Sequence, residues 1–149
     1  MNRILPALAL VLAASFPIAL AQGPGGGGGS PLGRYMHDLE ETLGKIGELL
    51  EAEGGLEEAL SETLRIQKVV IDCKAEAPRM FSRFEDDEKK LKKARVEYCE
   101  MMQELVRALL DMELAIVEES PKKAEKALKT AMKLESKGHG KFRQRGGGR

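Results

Sequence analysis

The sequence predicts an all-α fold, an antiparallel up-down-up-down four-helix bundle. Three observations predict it. Apolar residues recur at steps of three and four in four separate stretches, the spacing of one helix face. The breaks between those stretches are short, and short connections make consecutive helices antiparallel neighbours. No stretch alternates with the period of two that a half-buried strand requires. Leu, Ala, Met, Glu and Lys dominate, and aromatics are only 4% of the chain, a composition that favours helix.

The first helix is the best defined. Leu32, Met36, Leu39, Leu43, Ile46 and Leu50 are spaced four, three, four, three and four. Ser30 suits the N-cap and Pro31 the first helical position, and Gly54-Gly55 ends the pattern. A second helix is expected over Leu56 to Ala77, with Leu56, Leu60, Leu64, Ile66, Val69, Val70 and Cys73 as its apolar positions and Pro78 as its stop. Met80, Phe81 and Phe84 fall in or beside a turn. The charged run Glu85 to Glu97 is the solvated face of a third helix. That helix continues through Tyr98, Met101, Met102, Leu105, Leu109, Met112, Ile116 and Val117. Ser120-Pro121 caps and opens the fourth. Its apolar side comprises Ala124, Leu128, Ala131, Met132 and Glu135, and the pattern fades near Gly138.

The flanks have a different character. Residues 1–21 read as a signal peptide: basic Asn2-Arg3, an apolar core from Ile4 to Phe16, and Ala19-Leu20-Ala21 as an A-x-A cleavage site. Residue 22 is Gln, so no lipoprotein cysteine follows, and one arginine is too few for a twin-Arg signal. The chain is therefore expected to be exported to the periplasm. Residues 22–29 form a Gly-rich linker, 30–143 the bundle, and 144–149 a disordered tail. No later segment has the apolar length of a membrane span. The 24 basic residues balance the 24 acidic ones, so composition makes no case for nucleic acid or an anionic membrane surface.

The expected topology gathers one group of residues at one end. At ~1.5 Å of rise per residue, Met36, Cys73, Met102 and His139 all fall about 24–27 Å from the opposite end of their helices. Leu128, Met132, Glu135 and His139 step by four, three and four, which directs the imidazole inward. A thioether and an imidazole facing each other are an axial ligand pair for haem iron. A Met at such a position also serves as core filler, and a His in a basic tail is also found solvated. His37, next to Met36, points about 100° away and reads as a surface residue.

Two motifs carry a family resemblance. Leu32-x-x-x-Met36-x-x-Leu39, near the start of the expected mature chain, resembles the opening of the soluble cytochrome b562 family. His139-Gly140-Lys141-Phe142-Arg143 is similar to the His-x-Lys-aromatic-Arg that closes that family's fourth helix. The resemblance covers most of residues 31–143. It implies one non-covalent haem b per chain, Met36 and His139 as ligands to the iron, and electron transfer with a redox partner protein. It also implies that Tyr98 and Met102 stand where the family has two pocket phenylalanines. The chain departs from the family in carrying Glu135 where the family has an Arg. A carboxylate there repels a haem propionate. Gly138 and Gly140 flank the His and weaken the last helical turn. No Cys-x-x-Cys-His precedes His139, which excludes c-type attachment.

No HExxH, phosphate loop, nucleophile elbow or placed carboxylate pair appears, so the chain is not expected to be an enzyme. The alternative to a haem carrier is a cofactor-free periplasmic bundle that binds a partner protein or sequesters haem or metal. Either form is expected to be monomeric or weakly dimeric. Two cysteines in an exported chain favour pairing. Cys73 and Cys99 meet at the same end, their levels differing by about 5 Å. The pairing Cys73–Cys99 is thus one expectation, and two buried free thiols the other.

Overall fold

A computed structural model describes residues 30–142, and these form an all-α four-helix bundle. The expected signal peptide, linker and tail lie outside the described residues. The helices are α1 (Pro31–Glu51), α2 (Leu56–Ala75), α3 (Glu88–Val117) and α4 (Pro121–Phe142). A six-residue 3₁₀ segment, Arg79–Phe84, joins α2 to α3 and packs on α3. Among the described residues there is no strand.

The ends follow from local chemistry. Ser30 Oγ accepts from the Gly33 amide at 3.2 Å, satisfying one orphan donor of α1. Asp87 does the same for Lys90 on α3, at 3.0 Å. Gly54 takes the left-handed conformation, φ 76°, where side chains are disfavoured. A Cβ on Gly55 would run into the Leu49 carbonyl oxygen. α2 ends at Ala75, two residues short of the expected Ala77. Pro78 disfavours helix in the residue before it, and Glu76 is already extended at ψ 136°. At the α3–α4 corner Glu119 is left-handed, φ 51°. The Ser120 amide bonds Ala115 O and the Glu119 amide bonds Ile116 O, both at 2.9 Å. This is a Schellman cap with Glu in the position that Gly usually takes.

Contacts across neighbouring helices pair early residues of one with late residues of the next. Lys45 meets Glu58 and Glu62, and Arg65 meets Asp38, between α1 and α2. Gln67 Nε2 donates to Glu113 Oε2, and Tyr98 OH to Cys73 O, between α2 and α3. Lys141 meets Glu97 between α3 and α4. Gly47 lies against Leu128 between α1 and α4. Neighbouring helices thus run in opposite directions.

The core is built from the expected stripes. Leu39, Leu43 and Ile46 of α1 pack with Ile66, Val70 and Cys73 of α2 and with Met102, Leu109 and Met112 of α3. On α4 the buried positions are small, Ala124, Ala127 and Ala131, with Leu128. They let α3 and α4 share the most extensive of the helix pairings. Two buried threonines were not expected in the core. Thr42 donates to Asp38 O at 2.6 Å and Thr63 to Ala59 O at 2.7 Å. Bonding back to the preceding turn removes the cost of burying the hydroxyl. Three residues assigned to apolar faces instead lie exposed: Leu64, Val117 and Met132. The buried stripe of α4 runs through Ala131 to Gly138 and Phe142, which turns Met132 outward.

Candidate functional site

The end of the bundle where α1 begins and α4 finishes holds the residues singled out from the sequence. Tyr98 and Met102 are one turn apart on α3, and both are buried. The Tyr98 hydroxyl donates to Cys73 O at 2.8 Å, a carbonyl in the last turn of α2 that also accepts from the Glu76 amide. Its ring meets Phe81 edge-on at 6.0 Å and Phe142 at 5.3 Å. Burial holds its phenol well above the ordinary tyrosine range.

α4 does not fray at its glycines. It stays helical through Phe142, because Gly138 and Phe142 are buried and anchor its last turn. A Cβ on Gly138 would come within 2.9 Å of Met101 Cε. The glycine therefore lets Met101 lie directly on the α4 backbone.

Met36 is half-buried and packs on the edge of the core. His139 is also half-buried, one position off the centre of the α4 stripe. Its Nε2 lies 3.3 Å from Glu135 Oε1. Glu40 of α1 joins them, and the three donor atoms lie within 4.8 Å of one another. Glu40 follows Met36 by one turn, so the imidazole is offset from the Met36 level by about 6 Å along α1.

Glu135 is the anomalous member of this group. Its side chain is 12% exposed. Oε1 is fully buried and receives no hydrogen bond; the imidazole is at ion-pair distance without hydrogen-bond geometry. Burial pushes the carboxyl above its ordinary range, Glu40 pushes the same way, and His139 opposes them. From the sequence, Glu135 was placed against a haem propionate. In the structure its neighbours are His139 and Glu40. The spacing Glu135-x-x-x-His139 was visible in the sequence. Glu40 was not, because it lies on the polar side of α1 and reaches the group only across a helix interface.

The expected Cys73–Cys99 disulfide is absent. Both thiols are free, with Cys73 buried and Cys99 exposed. Tyr98 takes the inward position on α3, which turns its neighbour Cys99 about 100° away, toward solvent. Burial pushes the Cys73 thiol up to about 12.

A thioether, Met36, and an imidazole, His139, on the packed helices α1 and α4 are the donor types that can ligate haem iron. Space is a separate matter. Tyr98, Met101, Met102 and Phe142 are each no more than 8% exposed, so a ring enters this layer only if some of them move. Met101 and Met102 are the adaptable ones, being unbranched and held by dispersion alone. Two surface hollows, one beside Lys122, Lys126 and Lys129 and one beside Asp111 and Leu114, lie toward the other end of α3 and α4. Among the described residues no helix is long and apolar enough to cross a membrane. Compared with known protein families, curated proteins and solved structures, the chain matches none.

Proposed function

We propose that this chain is an exported electron carrier that binds one haem b without covalent attachment, with Met36 and His139 as the axial ligands. The observation that carries the reading is the placing of the donors. Met36 on α1 and His139 on α4 are both half-buried, at the end of the bundle where α1 begins and α4 finishes. Tyr98, Met102 and Phe142 are buried in the core. When bound, haem supplies a one-electron iron couple. To hold haem, His139 would give up its contact with Glu135, and Met101 would have to move off the α4 backbone at Gly138. A redox partner protein in the periplasm completes the transfer.

Hemin added to the full chain tests this. The expected result is one equivalent bound, with a low-spin, six-coordinate spectrum on reduction. His139→Ala should abolish the low-spin bands, and Met36→Ala should leave a weaker, five-coordinate complex. Both variants binding like the parent would overturn the ligand assignment.

The closed packing of Tyr98, Met101 and Phe142 favours a second reading, a cofactor-free bundle that docks a partner protein or sequesters haem or metal. A chain that docks a partner protein stays colourless, its spectrum and melting temperature unchanged by hemin, whereas one that sequesters haem takes hemin up and exchanges it readily.

A further inference from the structure

We infer that Glu40, Glu135 and His139 form a binding site for a divalent transition-metal ion, with zinc the best-matched ion. This goes beyond the haem reading and uses a different donor set, although His139 belongs to both. The haem-free chain is the form that would take the ion.

Three features converge. The donors are one imidazole nitrogen and two carboxylate oxygens, without sulfur. Zinc accepts this mixture, whereas calcium and magnesium are ions of all-oxygen sites. Glu135 and His139 are four apart on one helix face, the spacing by which a single helix offers two ligands to one ion. Their donor atoms are 3.3 Å apart. Zinc bonds of 2.0–2.1 Å in a tetrahedron set adjacent donors about 3.3–3.5 Å apart. The pair therefore already has the edge length the ion requires, without the geometry of a hydrogen bond. Glu40, from the neighbouring helix, is exposed and free to close on the ion by side-chain rotation.

The second, independent observation is the Glu135 oxygen. Oε1 is wholly buried, receives no hydrogen bond, and is within reach of both other donors. A buried carboxylate oxygen without a donor is costly, and a cation between it and the imidazole removes that cost. Three protein ligands leave a fourth position for water, so the site would hold an exchangeable ion rather than a closed structural one.

A control lies on α1. His37 and Glu41 also form an i,i+4 pair, 3.4 Å apart, but their side chains are 70% and 69% exposed. Both pairs have the spacing, and only the Glu135–His139 pair has burial and an orphaned oxygen.

The test uses the full chain, free of haem and stripped with a chelator. Zinc is titrated calorimetrically, and cobalt(II) serves as the spectroscopic probe. The expected result is one zinc per chain, with cobalt showing the intense visible bands of low coordination number. Glu135→Gln and His139→Ala should each weaken zinc by more than the roughly 10–100-fold that loss of an outer-shell partner costs. Glu40→Gln should weaken it, and His37→Ala should leave it unchanged. Circular dichroism checks that each variant keeps the parent's helix content. Binding that is absent in the parent, unchanged in Glu135→Gln, or lost in His37→Ala would overturn the site. The two readings fail separately. Glu40→Gln and Glu135→Gln should weaken zinc while keeping hemin, and Met36→Ala should weaken hemin while keeping zinc.

Discussion

Tyr98 holds together the layer at the end where α1 begins and α4 finishes, and its hydroxyl and its ring can be separated by two substitutions. Tyr98→Phe removes only the hydroxyl. Cys73 O then loses the 2.8 Å bond from Tyr98 but keeps the one from the Glu76 amide at 3.1 Å. No acceptor is orphaned, so the cost should be the net value of one hydrogen bond, about 1 kcal/mol. Tyr98→Ala also removes the ring. It forfeits edge-on contacts with Phe81 and Phe142, worth about 0.5–1.5 kcal/mol each beyond burial, and it opens a cavity. The total expected for a buried aromatic truncated to Ala is about 3–5 kcal/mol. Against a domain stability of about 5–15 kcal/mol, that is a large share. Urea unfolding, followed by circular dichroism on the full chain, measures both.

The phenol adds a pH signature. Its ionisation is held above the ordinary value in the fold, so the unfolded chain releases the proton first. The Tyr98 contribution is complete below about pH 10 and is lost as pH rises beyond it. Tyr98→Phe should remove that part of the alkaline decline. A Tyr98→Phe cost of 3 kcal/mol or more would refute the reasoning, because it would mean that the Cys73 carbonyl depends on the hydroxyl. A Tyr98→Ala cost below 2 kcal/mol would refute it too, because the layer would then be loosely packed.

Two further outcomes follow from the same end of the molecule. In the folded chain at pH 8, a thiol reagent should modify Cys99 alone, since Cys73 is buried and held up to about 12; denaturant should release the second thiol, and a folded sample with no reactive thiol, or with two reacting equally fast, would contradict the structure. With a chelator present, Glu135→Met should stabilise the chain at pH 7 by about 1–3 kcal/mol, the cost of one unsatisfied buried polar group. The Glu135 carboxyl is raised in the fold, so in the parent its penalty is absent below the unfolded value of about 4.3 and grows as pH rises through the folded value. The gain of Glu135→Met should accordingly shrink as pH falls toward 4, and equal stability of parent and variant at pH 7 would refute the burial argument.

The α1 stripe from Leu39 to Leu50, the cap at Ser30, the stop before Pro78 and the turn at Gly54-Gly55 all rest on near neighbours in the chain. A sequence carries such signals directly, so the sequence alone determined the four helices and their order. Fold class followed from them, because a stripe of this width on each of four helices has to be buried against the others. What it could not supply was rotation. Tyr98 and Cys99 are adjacent in sequence, and which of them turns inward depends on how α3 seats against α2. That seating buries Tyr98, exposes Cys99 and removes the expected disulfide. The same freedom on α4 turned Met132 out and brought Gly138 and Phe142 in, where Met101 and Tyr98 receive them. Glu40 sits on the polar side of α1, and nothing within its own helix marks it. Only the packing of α1 on α4 brings its carboxylate to Glu135 and His139, because the meeting of side chains from different helices is set by the whole core and by no single segment.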